Sequence, residues 1–258
     1  MADSTTDLKL SAEAEAFLDA RQTVAPTQVS ACEGWTAHEV TAHLAAAAAE
    51  VTRHLRPYLS GDPVPRTKTF EEREPPFRVL GDVELQRRLV AEEEQMREAI
   101  SDVLAAEPDA VIPWTGRTMG VAKFIPHMRN EFAVHRWDFV GDDDTGTALL
   151  AQPELTAHAV GVLGEILLRA GRRHDPRPDE EFDVRLRAPG AADVRVRVDA
   201  GRAGLELAED EPDQPCLELD PAARTLFIWG RRPDRRGRIH SRLPQDQLAR
   251  LQSLLAGY

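Results

Sequence analysis

Apolar residues recur every three or four positions through the first two thirds of the chain. That pattern stops at a charged, proline-containing stretch, Arg172-Arg-His-Asp-Pro-Arg-Pro-Asp-Glu-Glu181. A period near 3.6 demands helices, and alternation demands strands with one wet face. After the stretch, Phe182, Val184 and Leu186 alternate with charged residues, as do Val194, Val196 and Val198, and Leu205 with Leu207. The pattern therefore predicts an α+β chain. A helical bundle over residues 1–172 is followed by a small α/β domain over 180–258 whose sheet is antiparallel.

The helices expected are one from Ala14 to Val24, closed by Pro26, and a second from about Thr36 to Leu59. A third runs from about Asp82 to Ala105, a fourth from about Met119 to Val140 and a fifth from about Pro153 to Ala170. Thr36-Ala-His-Glu39 has capping-box spacing, in which each side chain satisfies the other's backbone N–H. Val40, His43, Leu44, Ala47, Val51, Leu55 and Tyr58 form the inward face of the second helix. Residues 60–81 hold Pro63, Pro65, Pro75 and Pro76 and read as a loop over the bundle. Two shorter helices, Pro221–Gly230 and Pro244–Ala256, complete the C-terminal domain.

The 258 residues carry 32 basic against 44 acidic side chains, a formal charge of −12 that does not suit a protein coating nucleic acid. No apolar run approaches the ~20 residues of a membrane span. The opening residues, with Asp3 and Asp7, lack a basic and apolar leader, so a cytoplasmic location is expected. Cys32 and Cys216 are too few for a disulfide framework. The chain has no G-x-S-x-G, P-loop or G-x-G-x-x-G. Asp142-Asp-Asp-Thr145 lacks the other ligands of a calcium loop and reads as a solvated helix end.

His127-Met-Arg-Asn-Glu131-Phe-Ala-Val-His135 places three metal-ligating side chains at intervals of four on one helix. Neighbours four apart share a face, but a helix rises roughly 12 Å over eight residues, so His127 and His135 cannot share an ion. The pair is Glu131 with His135 or His127 with Glu131. His43, on the inward face of an alanine-rich helix, needs partners for its nitrogens. With Glu131 and His135 it makes two imidazoles and a carboxylate, a set suited to Zn²⁺ with an open fourth position. Iron, cobalt and nickel also accept these donors. His38-Glu39-Val-Thr-Ala-His43 is one residue too long for H-E-x-x-H, and its histidines diverge by about 140° around the helix. The basic stretch Arg231–Arg238 reads as a solvated loop or a guanidinium clamp for carboxylates.

Cys32-Glu-Gly-Trp35-Thr leading into a helix with His43, then Glu131-Phe-Ala-Val-His135-Arg-Trp-Asp138, resembles the mycothiol-dependent maleylpyruvate isomerase family. That family belongs to the DinB-like metal-binding four-helix bundles and adds a small C-terminal domain similar to sterol carrier proteins. Leu226-Phe-Ile-Trp-Gly-Arg231 resembles that domain's W-G-R segment. The resemblance implies zinc on His43, Glu131 and His135, mycothiol as the thiol cosubstrate, and Arg231 as the catalytic arginine from the second domain. His127, where an arginine or apolar residue is expected, departs from the pattern.

The implied activity is metal-assisted addition of the thiol to an electrophile, giving cis-trans isomerisation of a maleyl-type keto acid. A mycothiol S-transferase and a non-catalytic metal-binding or small-molecule-binding module are the alternatives. Partners implied are the thiol and a small electrophilic substrate, without nucleic acid or membrane, the chain being a monomer or homodimer.

Overall fold

A computed structural model describes residues 10–199, 202–209, 214–233 and 237–256. The opening nine residues and 234–236, the middle of the basic stretch, lie outside the described residues. The chain divides into two compact units, 1–139 and 140–258.

The first unit is built on four helices: α1 (Ala12–Thr23), α2 (Ala37–Ser60), α5 (Asp82–Ala106) and α6 (Phe124–Val140). Between α2 and α5 lie two single turns, α3 (Phe70–Arg73) and α4 (Pro75–Arg78), so the proline-rich segment is only partly the loop its sequence suggests. The expected capping box forms at α2: Glu39 N–H donates to Thr36 Oγ1, and Thr36 N–H donates to Glu39 Oε2. Ala42, Ala45, Ala46 and Ala48 of α2 are buried, and α5 packs against that helix. Phe17 of α1 meets Phe132 and Phe139 of α6, ring centroids 5.6 and 5.1 Å away. Each such buried ring contributes roughly 1.5–3 kcal/mol.

The fourth helix starts later than its periodicity suggests. Met119 lies in a hairpin of β1 (Val111–Trp114) and β2 (Arg117–Gly120), joined by Thr115 and Gly116 at φ 49° and 78°. Two central residues with positive φ match the right-handed twist of the strands, and Gly116 adopts that conformation without steric cost. Trp114 packs its ring 4.9 Å from Phe124 and 5.0 Å from His54, fixing the start of α6.

The second unit begins with α7 (Asp144–Leu150), capped by Asp143, so the acidic run is a helix start. The fifth expected helix is three pieces: α8 (Pro153–His158), a π-turn (Ala159–Leu163) and α9 (Gly164–Gly171). They belong with the sheet because α7 and α8 pack on α10 (Pro221–Ile228), and α9 packs on β5 (Arg202–Ala208). The compact division therefore falls at 139/140, ahead of the change in sequence texture.

The sheet runs β5-β4-β3-β6-β7, with β3 (Phe182–Arg187), β4 (Asp193–Asp199), β6 (Cys216–Leu219) and β7 (Ile239–Ser241). The pair β3–β6 is parallel and the others are antiparallel. The charged stretch before β3 is pinned. The fully buried Arg250 guanidinium of α11 (Gln245–Leu254) donates to both Asp175 oxygens and to the carbonyls of Arg177, Glu180 and Glu181. Gly171 is needed where α9 meets α11, since a Cβ there would lie 2.0 Å from the Leu254 carbonyl oxygen. Among the described residues, no helix is long and apolar enough to cross a membrane.

Candidate metal centre

Three side chains singled out in the sequence converge inside the first unit. One ligating atom from each of His43, Glu131 and His135 lies within 4.8 Å of the other two. His43 comes from the inward face of α2, while Glu131 and His135 sit one turn apart on α6. Glu131 Oε2 is 3.6 Å from His43 Nε2 and 3.4 Å from His135 Nε2. The imidazoles meet edge to face with centroids 5.5 Å apart. Their side chains are 9, 11 and 8 % exposed for His43, Glu131 and His135, so the centre is sheltered from bulk water.

Both imidazoles are oriented from behind. His43 Nδ1 donates to Glu74 Oε1 at 2.8 Å, and His135 Nδ1 donates to Asp138 Oδ2 at 2.8 Å. A carboxylate on Nδ1 fixes the proton there and leaves the Nε2 lone pair pointing forward, the arrangement metal-ligating histidines use. Trp35 and Phe70 flank His43 with ring centroids at 5.0 and 5.3 Å. The donor set and its orientation fit a divalent transition metal of the zinc type.

Burial works against the charge on Glu131. The neighbouring imidazoles of His135 and His43, with His127 beside them, outweigh it and hold the carboxyl well below its usual range. Burial likewise opposes protonation of His135, but Asp138 and Glu131 raise its pKa above the ordinary imidazole value. His127 lies one turn earlier on α6, its Nε2 3.8 Å from Glu131 Oε1, the oxygen turned away from the other two histidines. Burial lowers its pKa, with Glu131 opposing. The structure thus brings Glu131 together with His135 and His43, and sets His127 beside them without making it a member of the group. Arg231 follows α10 in the second unit, half-buried, with Nη1 donating to the Trp229 carbonyl at 3.0 Å.

Glu74 and Asp138 are the residues sequence reasoning assigned no role. Asp138 carried a legible signal, a carboxylate three residues after a histidine on one helix. Glu74 had none, being 31 positions from its partner.

A family model described as the mycothiol maleylpyruvate isomerase N-terminal domain matches residues 10–139. The chain belongs to the mycothiol maleylpyruvate isomerase family. The match ends where the first compact unit ends. Two crystal structures of the mycothiol-dependent maleylpyruvate isomerase, one of them a histidine-to-alanine mutant, share the fold at TM-scores of 0.59 and 0.58. Each is 16 % identical in sequence, covering 90 % of this chain and 91 % of the other. A search of curated proteins found no match.

Proposed function

We propose that the chain is a thiol-dependent isomerase that binds a divalent metal, zinc by preference, through His43, Glu131 and His135 and uses mycothiol as cosubstrate. The convergence of two Nε2 lone pairs and one carboxylate, each imidazole backed by its own carboxylate, carries the reading. Family membership supports it.

Bound zinc supplies a Lewis acid that keeps a coordinated thiol ionised at neutral pH, against a free-thiol pKa of about 8.5. The protein's own residues do the rest. Glu131 lowers the positive charge of the centre by one unit. Glu74 and Asp138 hold both Nδ1 protons, so the Nε2 atoms remain donors of lone pairs. Trp35 and Phe70 keep water from His43.

The substrate in this reading is a cis-configured unsaturated keto acid. Its activated double bond gains a C–S bond at one carbon while the electron pair moves to the carbonyl oxygen as an enolate. The former double bond rotates as a single bond. Return of the electron pair expels the thiolate and leaves the trans isomer, with no net gain or loss of atoms or electrons. The resemblance of the W-G-R segment assigns to Arg231 the binding of a substrate carboxylate and the stabilisation of enolate charge.

The test is metal content of the purified protein and of His43→Ala, Glu131→Ala and His135→Ala, followed by thiol titration and assay of maleyl-type keto acids with mycothiol. About one metal per chain, lost in each variant, with thiol-dependent formation of the trans acid, is the expected result. A folded wild type that takes up no zinc overturns it. A thiol adduct accumulating in place of the trans product reassigns the chain to the S-transferases.

A further inference from the structure

The segment between α2 and α5 is docked on α2 at two places. Near the C-terminal half of α2, Lys68 N–H donates to Glu50 Oε1 at 2.6 Å, and Arg53 Nη2 donates to the Arg66 carbonyl at 2.5 Å. Thr67 Oγ1 lies 3.4 Å from His54 Nε2 and accepts from Thr115 N–H at 2.9 Å. Near the N-terminal half of α2, the turn between α3 and α4 inserts Glu74, whose side chain is 2 % exposed.

A buried carboxylate is costly unless each oxygen finds a donor. Glu74 Oε1 takes the His43 Nδ1 proton at 2.8 Å, and Oε2 takes two from Arg78, Nε at 3.1 Å and Nη2 at 2.7 Å. Arg78 Nη1 continues to Glu39 Oε1 at 2.9 Å, and Glu39 Oε2 is tied to Thr36 in the capping box. The guanidinium also stands 5.4 Å from the centre of the Trp35 ring, itself against His43. Both oxygens of Glu74 are therefore held, one by His43 and one by Arg78, and proline at 75 and 76 restricts the backbone that follows.

We propose that Glu74 is the positioning residue for His43, setting its tautomer and aim, so that docking of residues 66–78 on α2 completes the metal centre. The inference rests on the reading of His43 as a ligand. Its consequence is that metal affinity depends on a segment outside the four helices. His135, oriented within its own helix, does not share that dependence.

The experiment uses the full chain with Glu74→Gln and Glu74→Ala. Zinc dissociation constants are measured by competition with a chromophoric chelator, and histidine tautomers of the metal-free proteins by long-range ¹H–¹⁵N correlation. The expected result is a loss of about 10- to 100-fold in zinc affinity in both variants. In Glu74→Ala the His43 signals should also leave the Nδ1–H pattern while those of His135 stay in place. Wild-type zinc affinity in both variants, or unchanged His43 signals in Glu74→Ala, overturns the proposal. Should the alanine variant fail to fold, the near-isosteric glutamine variant decides by zinc affinity. A wild type that binds no zinc defeats the functional reading, and the tautomer measurement still decides whether Glu74 sets His43.

Discussion

His43 and His135 present the same atom to the same carboxylate, yet they are held in opposite ways. His135 is oriented by Asp138, one helical turn away, so any chain that forms α6 also forms that pair. His43 is oriented by Glu74, which arrives only once the segment after α2 has folded back. Half of the centre is thus local and half depends on tertiary docking. A mutation far from either ligand can loosen one histidine and leave the other untouched.

The largest effect expected lies in the atoms both halves share. Glu131→Ala removes the only carboxylate facing both Nε2 atoms among the described residues and should abolish stoichiometric zinc uptake, read by elemental analysis. Retained binding at full stoichiometry would mean that the two imidazoles suffice and that the comparison has the wrong centre. Next comes Asp138→Ala, with a loss of about 10- to 100-fold in zinc affinity. The contrast with Glu74 appears in amide exchange. Glu74→Ala should speed exchange across residues 66–78, whereas Asp138→Ala should leave that segment at the wild-type rate. Equal acceleration in both variants would erase the distinction between a local and a docked half.

The same distinction explains what the sequence disclosed. Helical spacing made a ligand pair legible on one face, Glu131 with His135 or His127 with Glu131, and the family resemblance joined Glu131 and His135 to His43 on another helix. The Thr36 capping box and the alternating β3 and β4 were legible for the same local reason. The hairpin of β1 and β2 escaped because four-residue strands around Thr115-Gly116 are too short for alternation to outweigh the helical signal that follows. The stretch at 175–181 showed only charge and proline in the sequence because Arg250, which satisfies its carbonyls, lies some 70 positions downstream. Glu74 escaped in the same way, since charge and proline content reveal a turn but not the helix on which it lands.

A third buried carboxylate sharpens the comparison, because it has no imidazole. Glu93 on α5 is 2 % exposed, its Oε2 makes no hydrogen bond, and Arg97 approaches Oε1 only to 4.0 Å. Burial, opposed by Arg97, pushes its carboxyl up to about 7 from 4.5. Glu74 is buried as deeply, yet His43 and Arg78 hold it below the usual carboxylate range. A pKa raised on folding means that the native state resists ionisation. Stability is therefore undiminished below about pH 4.5, falls as pH rises and levels off above about 7, at a cost of about 3 kcal/mol. Glu93→Gln should match wild type near pH 4 and exceed it by up to that amount at pH 8, measured by urea unfolding. The same advantage at both pH values would show that ionisation is not its cause.

The smallest expected effect probes how far the docked half extends. Thr36 caps α2 and holds Glu39, which in turn holds Arg78 behind Glu74. Thr36→Ala removes the hydroxyl that accepts from Glu39 N–H and should destabilise the fold by about 1 kcal/mol. Glu74 retains both of its hydrogen bonds from Arg78 in that variant, because they do not pass through Thr36. Zinc affinity should therefore change less than about threefold, well short of the loss expected when a group touching a ligand is removed. A loss matching that of Glu74→Gln would move the boundary of the centre outward. The helix cap would then be a further member of the chain of contacts that aims His43, and the docked half of the site would begin where α2 begins.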